Sequence, residues 1–81
     1  MNLVALTETI IKKIVSNPES VSVKEFESEE ENTIQIEALI SSDDMGKVIG
    51  KNGRTATAIR TVARTCAKKS NKRVDVKFDR S

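Results

Sequence analysis

The chain contains no histidine, tryptophan or tyrosine, and its single cysteine is Cys66. Without histidine it cannot form a Ser-His-Asp triad or a histidine-ligated metal site, and one cysteine cannot supply a zinc site or an intramolecular disulfide. Phe26 and Phe78 are the only aromatic residues, which argues against a surface on which bases stack. No nucleophile has a general base beside it, so we expect no catalytic residue, no metal, no cofactor and no enzyme activity.

The chain is also short, and long apolar runs are missing. Its 81 residues predict one small domain spanning residues 1–81. Hydrophobic residues make up 37% and charged residues 32%, which is typical of a globular chain with a modest core. No segment resembles a secretory signal or is long enough to span a bilayer. Together with the lack of disulfides, these features predict a cytoplasmic binding protein that does not associate with membranes.

Positive and negative charges are unevenly distributed along the chain. Residues 1–46 contain ten acidic and three basic side chains, whereas residues 47–81 contain eleven basic and two acidic ones. The two parts therefore carry about −7 and about +9, which together give the net charge of +2. Such a basic segment predicts a surface for a polyanion, with the acidic remainder limiting nonspecific contact. Two ordinary solvated faces are the alternative.

Apolar periodicity and turn residues predict six elements in the order αββααβ, which indicates an α+β fold. They cover residues 3–15, 21–26, 33–40, 45–49, 54–69 and 73–78. Asn17 and Pro18 end the first helix, and a slip in the alternation before Phe26 suggests a bulge in the first strand. The hydroxyls and carboxylates of residues 41–44 are expected to cap the second helix, and Cys66 is expected to be buried and inert.

The segment with the clearest chemical character is the glycine loop, residues 50–53, with the sequence Gly-Lys-Asn-Gly. Its two glycines permit a tight turn whose backbone can approach a ligand. The turn leads into a predicted helix N terminus, where free N–H groups and the helix dipole favour a phosphate. The cationic side chains around this position belong to Lys47, Lys51 and Arg54. On its own, such a loop is more often a simple connection between helices.

Two further features define what the loop could bind. Val48 and Ile49 offer an apolar wall against which a base can lie, directly before the first glycine. A P-loop is excluded because three residues, not four, separate Gly46 from Gly50, and Asn52 stands where the hydroxyl is needed. A G-x-G-x-x-G motif is missing as well. The loop is therefore not a typical nucleotide-binding motif.

Residues 48–60, Val-Ile-Gly-Lys-Asn-Gly-Arg-Thr-Ala-Thr-Ala-Ile-Arg, resemble the core of a KH domain, a module whose GXXG loop clamps four nucleotides of RNA. The αββααβ order is similar to the type II, bacterial arrangement, in which three helices cover one face of a three-stranded sheet. The resemblance extends over the whole chain. One departure is Ala56, where many KH domains have a bulky aliphatic residue, so the resemblance implies a shallower base pocket here.

The resemblance implies that single-stranded RNA, or less often single-stranded DNA, lies in a cleft. One wall is implied to comprise the second helix, the glycine loop and the start of the third helix. The other is implied to comprise the last strand and the loop before it. The implied RNA-binding residues are Lys47, Val48, Ile49, Gly50, Lys51, Asn52, Gly53, Arg54, Lys72, Arg73 and Val74.

The resemblance also implies cellular roles that the residues themselves do not indicate. Small stand-alone proteins of this type are implied to be cytoplasmic RNA chaperones or post-transcriptional regulators. They are further implied to form homodimers or to pair with a second, larger KH protein, with links to cell elongation, envelope synthesis and hence cell shape.

Two other classes of function compete with RNA binding. One is a protein-interaction subunit that dimerises through a helix face containing Ala58, Thr61, Val62 and Thr65, with RNA binding secondary. The other is a helix-turn-helix DNA binder formed by residues 41–69, which is disfavoured because its recognition helix would have to bury its apolar stripe. A basic stripe on the third helix either extends the RNA track or solubilises an exposed helix, and its members are Arg60, Arg64 and Lys68.

Overall fold

The computed structural model describes residues 2–81, with the exception of the Lys51 side chain. The element order confirms the predicted αββααβ arrangement: α1 (Leu3–Ile14), β1 (Ser22–Glu27), β2 (Thr33–Ile40), α2 (Met45–Ile49), α3 (Arg54–Lys68) and β3 (Arg73–Arg80). Short 3-10 turns lie at Pro18–Ser20, Ser42–Asp44 and Lys51–Gly53. Within residues 2–81, no helix has both the length and the apolar character needed to cross a membrane.

The three strands form a mixed sheet with β2 at its centre. β1 pairs with β2 in antiparallel orientation, and β3 pairs with β2 in parallel orientation, so that β3 is an edge strand. The backbone N–H of Arg73 donates to the carbonyl of Asn32, and that of Ser81 donates to the carbonyl of Ile40, each across 2.8 Å. Because backbone groups alternate in direction along a strand, the even-numbered residues of β3 present theirs to the free edge.

The core lies between one face of the sheet and the helices. Burying this apolar surface is the main term that holds so small a fold together. β2 shows the alternation most clearly, with buried Ile36, Ala38 and Ile40 separated by more exposed residues. Residues from every helix and strand meet in this cluster, which comprises Ile11, Val21, Val23, Ile36, Ala38, Ile40, Val48, Ile59, Ala63, Ala67, Val74 and Val76.

The structure corrects two expectations, one about the bulge before Phe26 and one about the burial of Cys66. Pairing between β1 and β2 is continuous along Ser22–Glu27, so the predicted bulge is wrong. Phe26 therefore points to the face opposite the core, where it pairs with Gln35 and is 47% exposed. Cys66 is half-buried rather than buried, because it lies at the margin of the inner stripe of α3, in a shallow pocket with Leu3. Neither residue belongs to the hydrophobic core.

Candidate nucleic-acid interface

The glycine loop adopts a backbone that only glycine accommodates at its first position. Gly50 has φ 72°, and a Cβ atom there would lie 2.7 Å from the Cβ atom and 2.9 Å from the backbone nitrogen of Thr55. Gly53 also has positive φ, 73°, although the space around it is open. The Gly50 N–H donates to the carbonyl of Gly46 across 2.9 Å, which closes α2. The loop can therefore turn sharply, with Gly50 packed against Thr55 and open space beside Gly53.

The loop leads directly into the N terminus of α3. Asn52, which is exposed, also has positive φ, 58°, a conformation that asparagine tolerates well. Gly53 occupies the N-cap position, no side chain caps the helix, and its first turn contains no acidic residue. The first N–H groups and the positive end of the helix dipole are thus left without a counter-charge from the helix itself. Exposed Arg54 adds a positive charge at this point.

Before the loop, Lys47 is held by a buried carboxylate. The carboxylate of Asp44, only 1% exposed, accepts hydrogen bonds from the backbone nitrogens of Ser16 and Asn17, both at 3.0 Å. The Asn17 side chain and the Ser41 hydroxyl add bonds of 3.1 and 3.0 Å. The Nζ atom of Lys47 lies 3.9 Å from Asp44 Oδ1 and also hydrogen-bonds to the hydroxyl of Ser16. Lys47 is therefore already engaged by protein groups.

These contacts correct the predicted cap of α2. Asp44 occupies the N-cap position of that helix, but its side chain makes no capping hydrogen bond and instead holds the chain segment that follows α1. The hydrogen bond from the Ser16 backbone is the largest cause that lowers the pKa of Asp44 from 3.8 to about 2; burial opposes the shift, and Asn17 and Ser41 add to it. The carboxylate therefore remains charged at neutral pH.

The predicted apolar wall is only half present. Val48 is fully buried because the helical period of α2 turns it into the core, so its side chain cannot contact a base and this part of the prediction is wrong. Ile49, next to Gly50, is 37% exposed. Ala56 is buried beneath the first turns of α3. Ile49 is therefore the apolar side chain beside the loop that remains accessible to a ligand.

The second predicted wall begins at the turn after α3. The N–H groups of Asn71 and Lys72 donate to the carbonyls of Lys68 and Ala67, each across 3.0 Å, and Asn71 has φ 57°. This is a Schellman motif with asparagine in the left-handed position. It leaves Lys72 and Arg73 exposed at the start of β3, whereas the Val74 side chain is buried. Val74 can therefore contact a ligand only through its backbone.

The basic stripe of α3 separates into two environments. The Nε atom of Arg60 donates to the carbonyl of Val76 across 3.1 Å, and its guanidinium lies 5.2 Å from the ring centroid of Phe78. Arg64 and Lys68 are exposed instead, and together with residues 72–75 they line a groove of about 240 Å³. We name this groove, lined by Arg64, Lys68, Lys72, Arg73, Val74 and Asp75, the distal groove.

The structure thus does not gather the predicted site residues at one point. Residues 47–54 surround the start of α3, and residues 72–74 follow its end. With a rise of 1.5 Å per residue, the length of α3 separates the two groups by roughly 20 Å. The side chain of Lys51, a predicted RNA-binding residue, lies outside the part that the structure describes. The position of Arg64 and Lys68 on one side of α3 is indicated in the sequence by a four-residue spacing that continues to Lys72.

Comparison with known proteins relates this chain to a family. Residues 4–78 match the protein family described as KhpA/KhpB, KH domain. RNA-binding protein KhpA of Clostridium perfringens is 51% identical over 73 residues, which cover 90% of this chain and 95% of that protein. RNA-binding protein KhpA of Borreliella burgdorferi is 37% identical over 77 residues, covering 95% of this chain and 92% of the relative.

Among solved structures, the fold is similar to part of a larger protein. The crystal structure of Era in complex with MgGDPNP and nucleotides 1506–1542 of 16S ribosomal RNA matches with a TM-score of 0.59 and 21% sequence identity. The match covers 96% of this chain but only 30% of the Era chain. At that identity the likeness concerns the fold alone.

Proposed function

The chain belongs to the KhpA/KhpB KH-domain family, and from this premise we propose that it binds single-stranded RNA, without catalysis, through its glycine loop. The observation that carries the proposal is the junction of that loop with α3. Two glycines at positive φ, Gly50 and Gly53, lead into a helix N terminus that has neither a side-chain cap nor an acidic residue. In this proposal residues 1–81 act as one KH domain.

A phosphate of the RNA backbone is the chemical group that this junction suits best. Unpaired N–H groups at a helix N terminus donate to phosphate oxygens, and the helix dipole adds a favourable field. Arg54 supplies a further charge, whereas Lys47 contributes less because Asp44 and Ser16 already hold its ammonium group. The backbone, rather than one side chain, therefore provides most of the clamp.

Base recognition in this proposal uses apolar and backbone groups. Ile49 is exposed beside Gly50 and can pack against the face of a base. Val74 and Phe78 direct backbone N–H and carbonyl groups to the free edge of β3, where they can hydrogen-bond to base edges. With Phe26 on the opposite face of the sheet and the half-buried Phe78 ring already paired with the Arg60 guanidinium, aromatic stacking has no part in the mechanism. The sequence preference is therefore modest.

We propose, from the family resemblance, a role as an RNA chaperone or post-transcriptional regulator in the cytoplasm, and such a site suits that role. A small clamp of four nucleotides with modest preference binds many transcripts and releases them. It can mask short single-stranded segments without cleaving them. Single-stranded DNA would bind through the same phosphates, and duplex DNA of the same length should bind more weakly.

The central experiment introduces negative charge into the loop while keeping both glycines. The double variant Lys51→Asp/Asn52→Asp should lose most of its affinity for a short RNA strand because two carboxylates then face the phosphate. Asn52 is exposed, and surface substitutions usually change stability by less than about 1 kcal/mol. Fluorescence anisotropy measures binding, and thermal unfolding verifies the fold. If the folded variant binds RNA like the wild type, the loop is only a connector and the proposal is wrong.

A matched control separates local from overall charge. Gln35→Asp/Lys77→Asp makes the same change in charge on the open face of the sheet, at two exposed positions far from the loop in the chain. Because the new carboxylates lie opposite Asp75 and Glu37, thermal unfolding verifies the fold of the control as well. This control should retain most of the wild-type affinity. The salt dependence for the wild type should have a log–log slope of about −2, as expected if roughly three phosphates are neutralised on a single strand. A preference for duplex DNA would instead support the helix-turn-helix alternative.

We propose a second copy of this chain, or a second KH protein, as a protein partner through the outer face of α3. Thr61 and Thr65 donate their hydroxyl protons to the carbonyls of Thr57 and Thr61 in the same helix, each across 2.9 Å. Their methyl groups remain on the surface beside Val62, which is 41% exposed. We name this surface, formed by Ala58, Thr61, Val62 and Thr65, the threonine strip. Its small residues allow another helix to approach closely in a two-fold dimer.

A further inference from the structure

The distal groove concentrates positive charge at the end of α3 that lies away from the glycine loop. Arg64 and Lys68 are one helical turn apart on α3, and Lys72 and Arg73 follow across the Schellman turn. The groove formed between this half of the helix and the start of β3 is lined by these four cations together with the buried Val74 and the carboxylate of Asp75. Its net charge is therefore strongly positive.

These cations are available to an external anion. Among the residues that the structure describes, ion pairs join Lys12 to Glu8 and Lys47 to Asp44, and none involves Arg64, Lys68, Lys72 or Arg73. Arg60, one turn earlier on the same side of α3, behaves differently because its Nε atom is bonded to the carbonyl of Val76. A cluster of like charges without internal partners is stabilised when a polyanion supplies the counter-charge.

We infer that the distal groove is a second phosphate-binding site, which holds the RNA backbone roughly 20 Å from the glycine loop and extends the bound strand beyond a four-nucleotide clamp. This inference rests on the proposed function, since the same RNA strand occupies both places. Phosphate is the favoured ligand because the groove offers guanidinium and ammonium groups and no exposed aromatic ring on which a base could stack. The groove therefore adds affinity with little sequence preference.

The acidic loop defines where this track ends. Glu29, Glu30 and Glu31, between β1 and β2, line an open pocket whose only basic member is Lys72, which also lines the distal groove. Beyond Lys72 an RNA strand would therefore meet carboxylates and be repelled. The two features together define a path that runs along α3 and stops at Lys72.

The test compares two lengths of oligouridylate, a tetranucleotide and a dodecanucleotide, bound to the wild type and to Arg64→Gln/Lys68→Gln. Both positions are exposed, so the fold is expected to persist. For the dodecanucleotide, the magnitude of the log–log salt slope should fall by about 1.4, which corresponds to roughly 25-fold weaker binding at 0.1 M salt relative to 1 M. Binding of the tetranucleotide should change little. The triple variant Glu29→Gln/Glu30→Gln/Glu31→Gln should bind the dodecanucleotide more tightly than the wild type.

The outcomes separate this inference from the proposed function. If Arg64→Gln/Lys68→Gln binds both lengths like the wild type, or weakens both equally, the distal groove is not a second site on the strand. If polyglutamate displaces the dodecanucleotide at the concentrations at which RNA does, the groove is a site for acidic protein instead. Loss of tetranucleotide binding in Lys51→Asp/Asn52→Asp tests the glycine loop independently. If the triple glutamate variant binds the dodecanucleotide with unchanged affinity, the acidic loop does not limit the path of the RNA.

Discussion

Arg60 and Val76 join the middle of α3 to the free edge of β3 through one hydrogen bond of 3.1 Å from Nε to the carbonyl oxygen. The guanidinium also lies 5.2 Å from the centroid of the Phe78 ring. Arg60 therefore occupies an edge carbonyl that would otherwise face solvent or a ligand. Along α3, Arg60 lies between the glycine loop and the distal groove.

The first prediction concerns this contact. Arg60→Lys should destabilise the fold by about 1 kcal/mol, because an ammonium group cannot reproduce the directed Nε hydrogen bond together with packing on the ring. Arg64→Lys is the matched control, since Arg64 is exposed and forms no ion pair within the part of the chain that the structure describes. Urea unfolding of both variants measures the difference. Equal stability of the two would mean that the Arg60 contact contributes nothing.

The second prediction compares Gly46, which lies within α2, with Gly50, which follows its last residue. Gly50→Ala should destabilise by about 1–3 kcal/mol, since alanine disfavours positive φ and its Cβ would clash with Thr55. Gly46→Ala should instead stabilise by about 0.5–1 kcal/mol, because Gly46 is helical and has open space around it. Thermal unfolding of the two variants and the wild type measures these changes in stability. A Gly50→Ala protein as stable as Gly46→Ala would contradict the loop geometry.

The third prediction follows from the low pKa of Asp44. Its folded-state pKa of about 2 lies below the ordinary value of 3.8, so the charged carboxylate stabilises the fold above pH 3.8. This stabilisation is lost as the pH falls from 3.8 toward 2. The Asp44→Asn variant should have a Tm lowered by roughly 10 °C at neutral pH, and its Tm should decline less steeply in that acidic window. Asp43→Asn, at an exposed neighbour, should follow the wild-type profile throughout.

The fourth prediction tests the threonine strip. Thr61→Arg would place like charges opposite each other across a two-fold axis, and it should convert a dimer into a monomer with the fold intact. Gln35→Arg adds a positive charge on the open face of the sheet, away from α3, and its association should resemble that of the wild type. Sedimentation velocity across a concentration series measures both. A wild-type protein that remains monomeric at high micromolar concentration would rule out the proposed dimer.

The elements of the fold could be predicted because their signals are local. Helical spacing in residues 3–15 and strict alternation in residues 33–40 depend on neighbours along the chain, and the structure follows them closely. The roles of Asp44 and Val48 could not be predicted in the same way. Asp44 has its partners 27 and 28 residues earlier in the sequence, and α2, with five residues, is too short for its apolar spacing to indicate in advance that Val48 faces the core.

In the candidate site, too, local features could be predicted from the sequence and long-range contacts could not. The turn of residues 50–53 could be predicted from its two glycines, and the basic character of residues 47–81 from composition alone. The separation of Arg60 from Arg64 and Lys68 depends on where β3 lies beside α3, a long-range relationship. Phe26 illustrates the limit most simply, since one residue of strand phase decides whether an aromatic ring is buried or exposed.

The free edge of β3 has a further consequence, for solubility. An unpaired strand edge is a template on which another strand can add, and repeated addition produces aggregates. Here the edge strand carries charged residues along its outward face, including Arg73, Asp75 and Lys77, and Arg60 already holds one of its carbonyls. These charged side chains and the Arg60 contact thus discourage the β3 strands of two copies from pairing, while the remaining edge groups stay accessible to RNA. We expect variants in which the charged side chains of β3 are replaced by neutral ones to aggregate under conditions in which they are still able to fold.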